Sequence, residues 1–263
     1  MFLRRRAAAY QAYFEHMPVR VGPDATNPAN MRIHERMAWG QLADIWTLDN
    51  RQYRSYQACP DPLKGGGRVV MGCNELTDPQ RTMLGVEQER WLTQGMSGSQ
   101  AAWKIVAQST QMSSTGLGTP MGRSAFTDGW DGYPMARERF LQNIVDAKLQ
   151  DVLVLGGDVH MSVAAHLRVK PNDEQSPVVA SELTTTSITS RGMGETLAAQ
   201  IRSNNPDIAH LRSDERGFTL LQVTPDSVQS EFKTTANPVQ MNAVFATQAR
   251  FTVQRGVAGV VKG

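Results

Sequence analysis

The chain has 263 residues, 40% of them hydrophobic, enough to bury a sizeable core in one large or two small domains. With 27 Lys and Arg against 25 Asp and Glu, the formal net charge of +2 excludes a field that would make nucleic acid or an anionic membrane the main partner. Two cysteines, Cys59 and Cys73, exclude a disulfide scaffold and a CxxC zinc site. They either close a loop of about fifteen residues, worth about 3 kcal/mol, or stay unpaired.

In chain order, MFLRRRAAAYQAYFEHMPVR places Arg4, Arg5 and Arg6 where a twin-arginine export segment would stand, without the apolar stretch such a segment requires. Ala7, Tyr10, Phe14 and Met17 recur at three- and four-residue steps ahead of Pro18, which predicts an amphipathic helix ending at that proline. A helix beginning at residue 3 with no run-in implies a natural start further upstream. No apolar run approaches the ~18 residues that cross a bilayer, so the chain reads as soluble, and as cytoplasmic if Met1 is the true start.

MRIHERMAWGQLADIWTLDNRQYR reads as two strand-like pieces broken at Gly40; Leu42, Ile45, Trp46 and Leu48 form the more apolar one, and Asp49, Arg51 and Arg54 cluster at its end. A glycine-rich polar loop from Ser55 to Asp78 is long enough to be functional or mobile. The spacing of Leu84, Glu87, Trp91 and Leu92 predicts a helix from Thr82 to Met96, and AWKIVAQS, Ala102 to Ser109, a buried strand. A second glycine-dense loop ends in Trp130, Asp131 and Tyr133, after which Pro134 opens a helix to about Ala147. Asp151 to Gly156 and VVASELTTTSITS read as strands, and FTLLQVTPDSVQSEFKTT as two more joined by a Pro-Asp-Ser turn. With neither repeats nor a linker, residues 1–263 read as one domain of interleaved α and β elements.

The informative stretch is VLVLGGDVHMSVAAHL, Val152 to Leu167. A continuous aliphatic run is the mark of a strand covered on both faces, and its carboxyl end is where layered α/β sheets hold ligands. Gly156 and Gly157 allow a sharp turn there. Asp158 and His160 then offer a carboxylate oxygen and an imidazole nitrogen suited to Ca, Mn, Fe or Zn. The alternatives are that Asp158 caps a turn and that His160 is a hydrogen-bonded core histidine. Two ligands fall short of the three an open catalytic site needs, and the other histidines add none: His16 and His34 read as surface or packing residues, His166 as sheet-facing, and His210 as part of a polar stretch. Ser162 lacks the G-x-S-x-G elbow of a serine hydrolase.

The succession AAAYQAYFEHMPVR, WGQLADIWTLDNRQYRS, TMLGVEQERWL, SGSQAAWKIVAQS, DGWDGYPMARERFL, LVLGGDVHMSVAAHL, PVVASELTTTSITS and ERGFTLLQVTP resembles the later portion of PhoD-type alkaline phosphatases, members of the calcineurin-like metallophosphoesterase superfamily. The resemblance implies a layered α/β sandwich of two mixed sheets flanked by helices, incomplete at the N-terminus. It implies hydrolysis of small phosphate monoesters and diesters at a centre of iron and calcium, in a periplasmic or secreted protein. Carried over residue by residue, Asp158 and His160 match the family's last metal-binding motif. Arg51 and Arg54 match a block whose arginines would either clamp phosphate oxygens or form an internal ion-pair network. Trp130, Asp131 and Tyr133 match a block that either lines the pocket mouth or fixes the loop, and Gln108 ends a strand where related phosphoesterases keep a ligand.

The family's amino-terminal aspartate and cysteine strand, G-D-x-x-Y block and Asp/His/Glu block are absent from the sequence. The chain therefore reads either as a carboxy-terminal portion of such an enzyme or as a degenerate relative, a non-catalytic binding module. In the first case an unpaired sheet edge and an uncovered apolar face are expected.

Overall fold

The computed structural model describes residues 1–120 and 122–263. The chain passes through α1 (Phe2–His16), the hairpin β1 (Glu35–Trp39) and β2 (Ala43–Thr47), the short β3 (Val69–Val70), a 3-10 turn at Asn74–Thr77 and α2 (Val86–Ser97). Next come β4 (Trp103–Ala107), the two-residue strands β5 (Gly118–Thr119), β6 (Gly122–Arg123) and β7 (Ala125–Phe126), a 3-10 turn at Trp130–Gly132 and α3 (Pro134–Asp146). The remainder is β8 (Val152–Gly156), β9 (Ser162–Arg168), β10 (Val178–Thr184), α4 (Glu195–Asn204), β11 (Ile208–Arg212), β12 (Arg216–Val223), β13 (Ser227–Thr235), β14 (Ala246–Gln254) and β15 (Val261–Lys262).

A seven-stranded mixed sheet in the order β1-β2-β4-β8-β10-β9-β11 forms the centre. β2, β4, β8 and β10 run parallel to one another, and β1, β9 and β11 join through antiparallel pairs. The period-two alternation of a strand explains the aliphatic runs. Val106, Val152 and Val154 face Leu92, Met96, Phe140, Leu141 and Ile144 of α2 and α3. Ile105 and Leu153 face the other way, onto Val228, Phe232, Phe251 and Val253 of a second sheet. Each such fully buried side chain contributes roughly 1.5–3 kcal/mol. At the far end, α4 lays Ala198 and Ile201 on Val163, Ala165, Ile208 and Leu211.

The α/β class and the layered sandwich stand, with one difference. The second sheet, β12-β13-β14-β15, is antiparallel throughout rather than mixed. Among the described residues the cluster between the sheets has no helical member, because antiparallel neighbours need no crossover helix.

Local details also differ. α1 forms and stops before Pro18, but it buries no residue; Phe14 and Met17 stay 40% and 48% exposed. Its contacts are shallow, Phe14 lying against Gly22 and the Tyr10 hydroxyl donating to Gln52 Oε1. α2 begins at Val86 rather than Thr82. The Thr82 hydroxyl accepts from the amides of Leu84 and Gly85, holding a turn ahead of the helix, and Gly85 enters it at φ +77°. The loop after β2 is tied down: Cys59 and Cys73 form a disulfide, Arg68 bonds the Cys59 carbonyl, and β3 pairs with β7. His210 leaves the polar surroundings its neighbours imply and packs between the rings of Phe232 and Phe251, where burial lowers its pKa. β1 is one edge of the large sheet, with Trp39 71% exposed. Among the described residues, no helix is long and apolar enough to cross a membrane.

Candidate active site at the strand tips

Because β2, β4, β8 and β10 are parallel, the segments that follow them gather along one side of the sheet. Backbone and side chains stitch these tips together. Leu48 N donates to Ala107 O at 2.9 Å, Thr185 N to Gly156 O at 3.0 Å, and Ser109 N to Asn50 Oδ1 at 3.3 Å. Asn50 is 1% exposed, and its Nδ2 is buried without a partner.

The turn after β8 differs from the sequence expectation. The residues with positive φ are Asp158 (+70°) and His160 (+57°), not the two glycines. A non-glycine residue in this region is strained, and such strain concentrates at functional sites. Gly156 is needed for close approach instead: a Cβ there would lie 2.5 Å from both Thr110 O and Thr184 Oγ1.

Charges converge on this turn. Asp158 Oδ2 lies 3.5 Å from Arg51 Nη2, and both side chains are about two-fifths exposed (43% and 42%). Arg51 Nη1 donates to Asp128 Oδ2 at 2.7 Å, while Arg54 donates to Asp128 Oδ1 at 2.8 Å and to its carbonyl at 2.9 Å. Gln57 Nε2 adds a fourth donor at 2.9 Å. Burial alone would raise the Asp128 pKa; the hydrogen bonds from Gln57 and Arg51 and the two guanidinium charges outweigh it and bring the pKa down to about 2. One corner of the Arg51 fork is thus anchored and the other faces Asp158.

His160 is half-buried, and its Nδ1 lies 2.8 Å from Arg191 O. A carbonyl only accepts, so Nδ1 carries a proton, and in the neutral ring the Nε2 lone pair is then the one a metal could take, with the outer hydrogen bond holding the imidazole. Arg216, 5% exposed, fixes the same turn from behind by donating to the carbonyls of His160 and Ser190, both at 3.0 Å. Asp158 and His160 therefore fit a metal in kind. They fall short in number: among the described residues no group of three or more His, Cys, Asp or Glu side chains is placed to hold an ion.

The remaining predicted residues lie inside. Gln108 is 9% exposed and bound inward, its Oε1 accepting from Thr110 N at 3.0 Å and Trp130 Nε1 at 3.1 Å and its Nε2 donating to Thr110 O. Trp130 and Tyr133 are each 1% exposed, and the Tyr133 hydroxyl donates to Ser55 O at 2.6 Å. Asp131 accepts from Thr115 N and Oγ1 at 2.8 Å and from Arg137 Nη1 at 2.9 Å. Of the two alternatives for this block, the geometry is that of loop fixation. Asp49 likewise turns inward, accepting from Arg51 N and Gln52 N, both at 2.9 Å.

Three residues escaped the sequence reading. Asp128 and Arg216 were legible only as members of the blocks DGWDGYP and ERGFTLLQVTP, with no role attached. Glu182, fully buried on β10, accepts from Met112 N and from Ser113 N at 2.8 Å; burial raises its pKa. It stood in SELTT as an ordinary strand residue.

Fold and site together define an α/β protein with loops gathered at the carboxyl ends of parallel strands, where an anchored arginine meets the carboxylate of Asp158 two residues before His160. A family model described as PhoD-like phosphatase matches residues 1–232. The chain is 37% identical over 264 residues to alkaline phosphatase D of Bacillus subtilis (strain 168), covering 99% of this chain and 44% of that protein. A solved structure of PhoD superimposes with a TM-score of 0.89 at 36% identity, covering 99% of this chain and 49% of that one. The chain belongs to the PhoD-like phosphatase family, as the sequence blocks implied, and spans about half the length of the relatives it matches.

Proposed function

We propose that this chain contributes the substrate-binding tips and two metal ligands of a phosphoesterase that hydrolyses small phosphate monoesters and diesters. The observation that carries the reading is Arg51. Its guanidinium is fixed by Asp128 and presented toward Asp158 at the carboxyl ends of the parallel strands. A fixed fork of N–H donors binds phosphate oxygens without first having to be ordered, and phosphoryl transfer depends mostly on such positioning and on electrostatics. Arg54, less exposed and bound twice to Asp128, positions Arg51 rather than the ester.

Asp158 and the Nε2 of His160 would hold the metal, with the carboxylate suited to calcium and the imidazole to iron. When bound, a metal would supply Lewis-acid stabilisation of charge on the phosphoryl oxygens. The chain's own part is to hold the His160 tautomer through Arg191 O, to brace the turn through Arg216, and to neutralise the ester with Arg51. In the exported relatives that the resemblance implies, the site would work in the periplasm or outside the cell.

The test is hydrolysis of p-nitrophenyl phosphate by the 263-residue chain with calcium and iron supplied, beside a chelated sample and the Asp158→Ala/His160→Ala double variant. If the chain turns the ester over, the reading expects both controls to abolish turnover and Arg51→Ala to lower kcat/KM about ten- to a hundredfold. Turnover that survives the double variant would overturn the assignment. The two-member donor set favours one second reading, a phosphate-binding module without hydrolysis. Its signature would be phosphorus NMR showing Arg51-dependent binding of inorganic phosphate with no turnover.

A further inference from the structure

Beside Asp158 opens a pocket of about 490 Å³, rimmed by Asp128 and Asp158 and walled by Leu117, Phe126, Met161, Met193, Leu197 and Ile201. Phe126 is 43% exposed and Met193 and Leu197 are 39% exposed each, so apolar surface faces water here with no role in the core. The volume lies within the range of roughly 300–1,000 Å³ that holds small organic ligands.

The walls are held in place from behind. Asn205, fully buried, donates to Gly116 O at 3.1 Å and to Ile201 O at 2.7 Å, tying α4 to the opposite wall. Met193 N is bonded to Ser213 Oγ at 2.9 Å. The two hydroxyls in the lining each make a bond within the wall: Ser124 Oγ accepts from Leu117 N at 2.9 Å, and Thr115 Oγ1 donates to Asp131 at 2.8 Å. Most of the wall is apolar, so a sugar or polyol placed here would find few partners for its hydroxyls, each unpaired one costing free energy on burial, whereas an apolar group would lose nothing.

We propose that this pocket is the subsite for the organic group of the ester, and that the ester it selects carries an aryl or short alkyl group. The inference rests on the reading of Arg51 and Asp158 as the phosphate end: a ligand anchored there reaches the apolar walls past the shared rim at Asp158. Charge at one end and apolar walls at the other match an amphiphilic phosphate ester.

The test uses the 263-residue chain with carbon-13 labelled methionine methyls and the non-hydrolysable probes methylphosphonate and phenylphosphonate, so that affinity is read without turnover. Phenylphosphonate should bind at least about tenfold tighter than methylphosphonate and shift the Met161 and Met193 signals. Leu197→Asn, or Met193→Gln should the first fail to fold, should reduce that preference to under about threefold. Arg51→Ala should weaken both probes alike. Equal affinities, shifts that spare Met161 and Met193, or a preference unchanged in both pocket variants would overturn the subsite and leave the phosphate reading intact. If neither phosphonate binds, the phosphate reading falls, and benzyl alcohol decides the pocket. Shifts of Met161 and Met193 that Leu197→Asn abolishes would support it as an apolar site, and no shift would overturn it.

Discussion

Asp128 collects Arg51, Arg54 and Gln57 on one carboxylate, and its pKa of about 2 against an ordinary 3.8 links the site to acid stability. A carboxyl whose folded pKa is depressed contributes stability above its unfolded pKa and loses it as pH falls through the folded one, here between about 4 and about 2. Asp128→Asn should therefore flatten the acid limb of stability in that window, read as urea midpoint against pH; an unchanged limb would show that the carboxylate is not held by its arginines. Gly156 and Gly157 make a matched pair. A Cβ on Gly156 meets backbone and side-chain oxygens at 2.5 Å, whereas on Gly157 its nearest neighbour is Ser109 O at 3.7 Å. Gly156→Ala should lose about 1–3 kcal/mol and Gly157→Ala close to nothing, measured from denaturant midpoints. Asp158 and His160 stood out as candidates because glycines and donor side chains ended an aliphatic run. Asp128 was not, because its partners lie 71 to 77 residues earlier and nothing local announces them. The inward bonds of Gln108 were hidden for a similar reason. Its strand-end position was right, but the Trp130 indole that consumes its amide oxygen is invisible in the neighbouring residues.

At the scale of elements, the Cys59–Cys73 bridge resolves the alternative that the sequence left open. The cysteines are 14 residues apart, so closing the loop contributes about 3 kcal/mol in the chain-entropy account. Reduction, or Cys59→Ser with Cys73→Ser, should lower the midpoint of unfolding by a corresponding amount. A midpoint unmoved by reductant would mean that the β3–β7 pairing and the small cluster of Ala58, Val70 and Ala125 hold the loop without it. The strands β4, β8 and β10 and the helix α3 were readable, since aliphatic runs and three- and four-residue steps survive in any context. The start of α2 was not. It depends on whether the Thr82 hydroxyl satisfies amides in a turn or within a helix, and propensity does not distinguish the two. α1 was readable as a helix but not as an exposed one, because periodicity states which face is apolar and not what covers it.

For the whole molecule, the two-sided burial of β8 was legible in VLVL, and it dictates the layering: helices on one face of the large sheet, a second sheet on the other. What covers each face was not legible, since the antiparallel meander on one side and α2 and α3 on the other make the same apolar demand of the central strands. The strand order has a consequence for how the chain comes together in time. β8 pairs with β4 on one side and β10 on the other, so the seven-stranded sheet draws its strands from Glu35 through Arg212. Contacts so far apart along the chain close slowly. β12, β13 and β14, by contrast, pair only with their neighbours in sequence, but their apolar face has nothing to rest on until the large sheet exists. During synthesis, the half-built central sheet must wait with its aliphatic strands uncovered while the later residues emerge, and that interval is when this fold is most exposed to association with other chains.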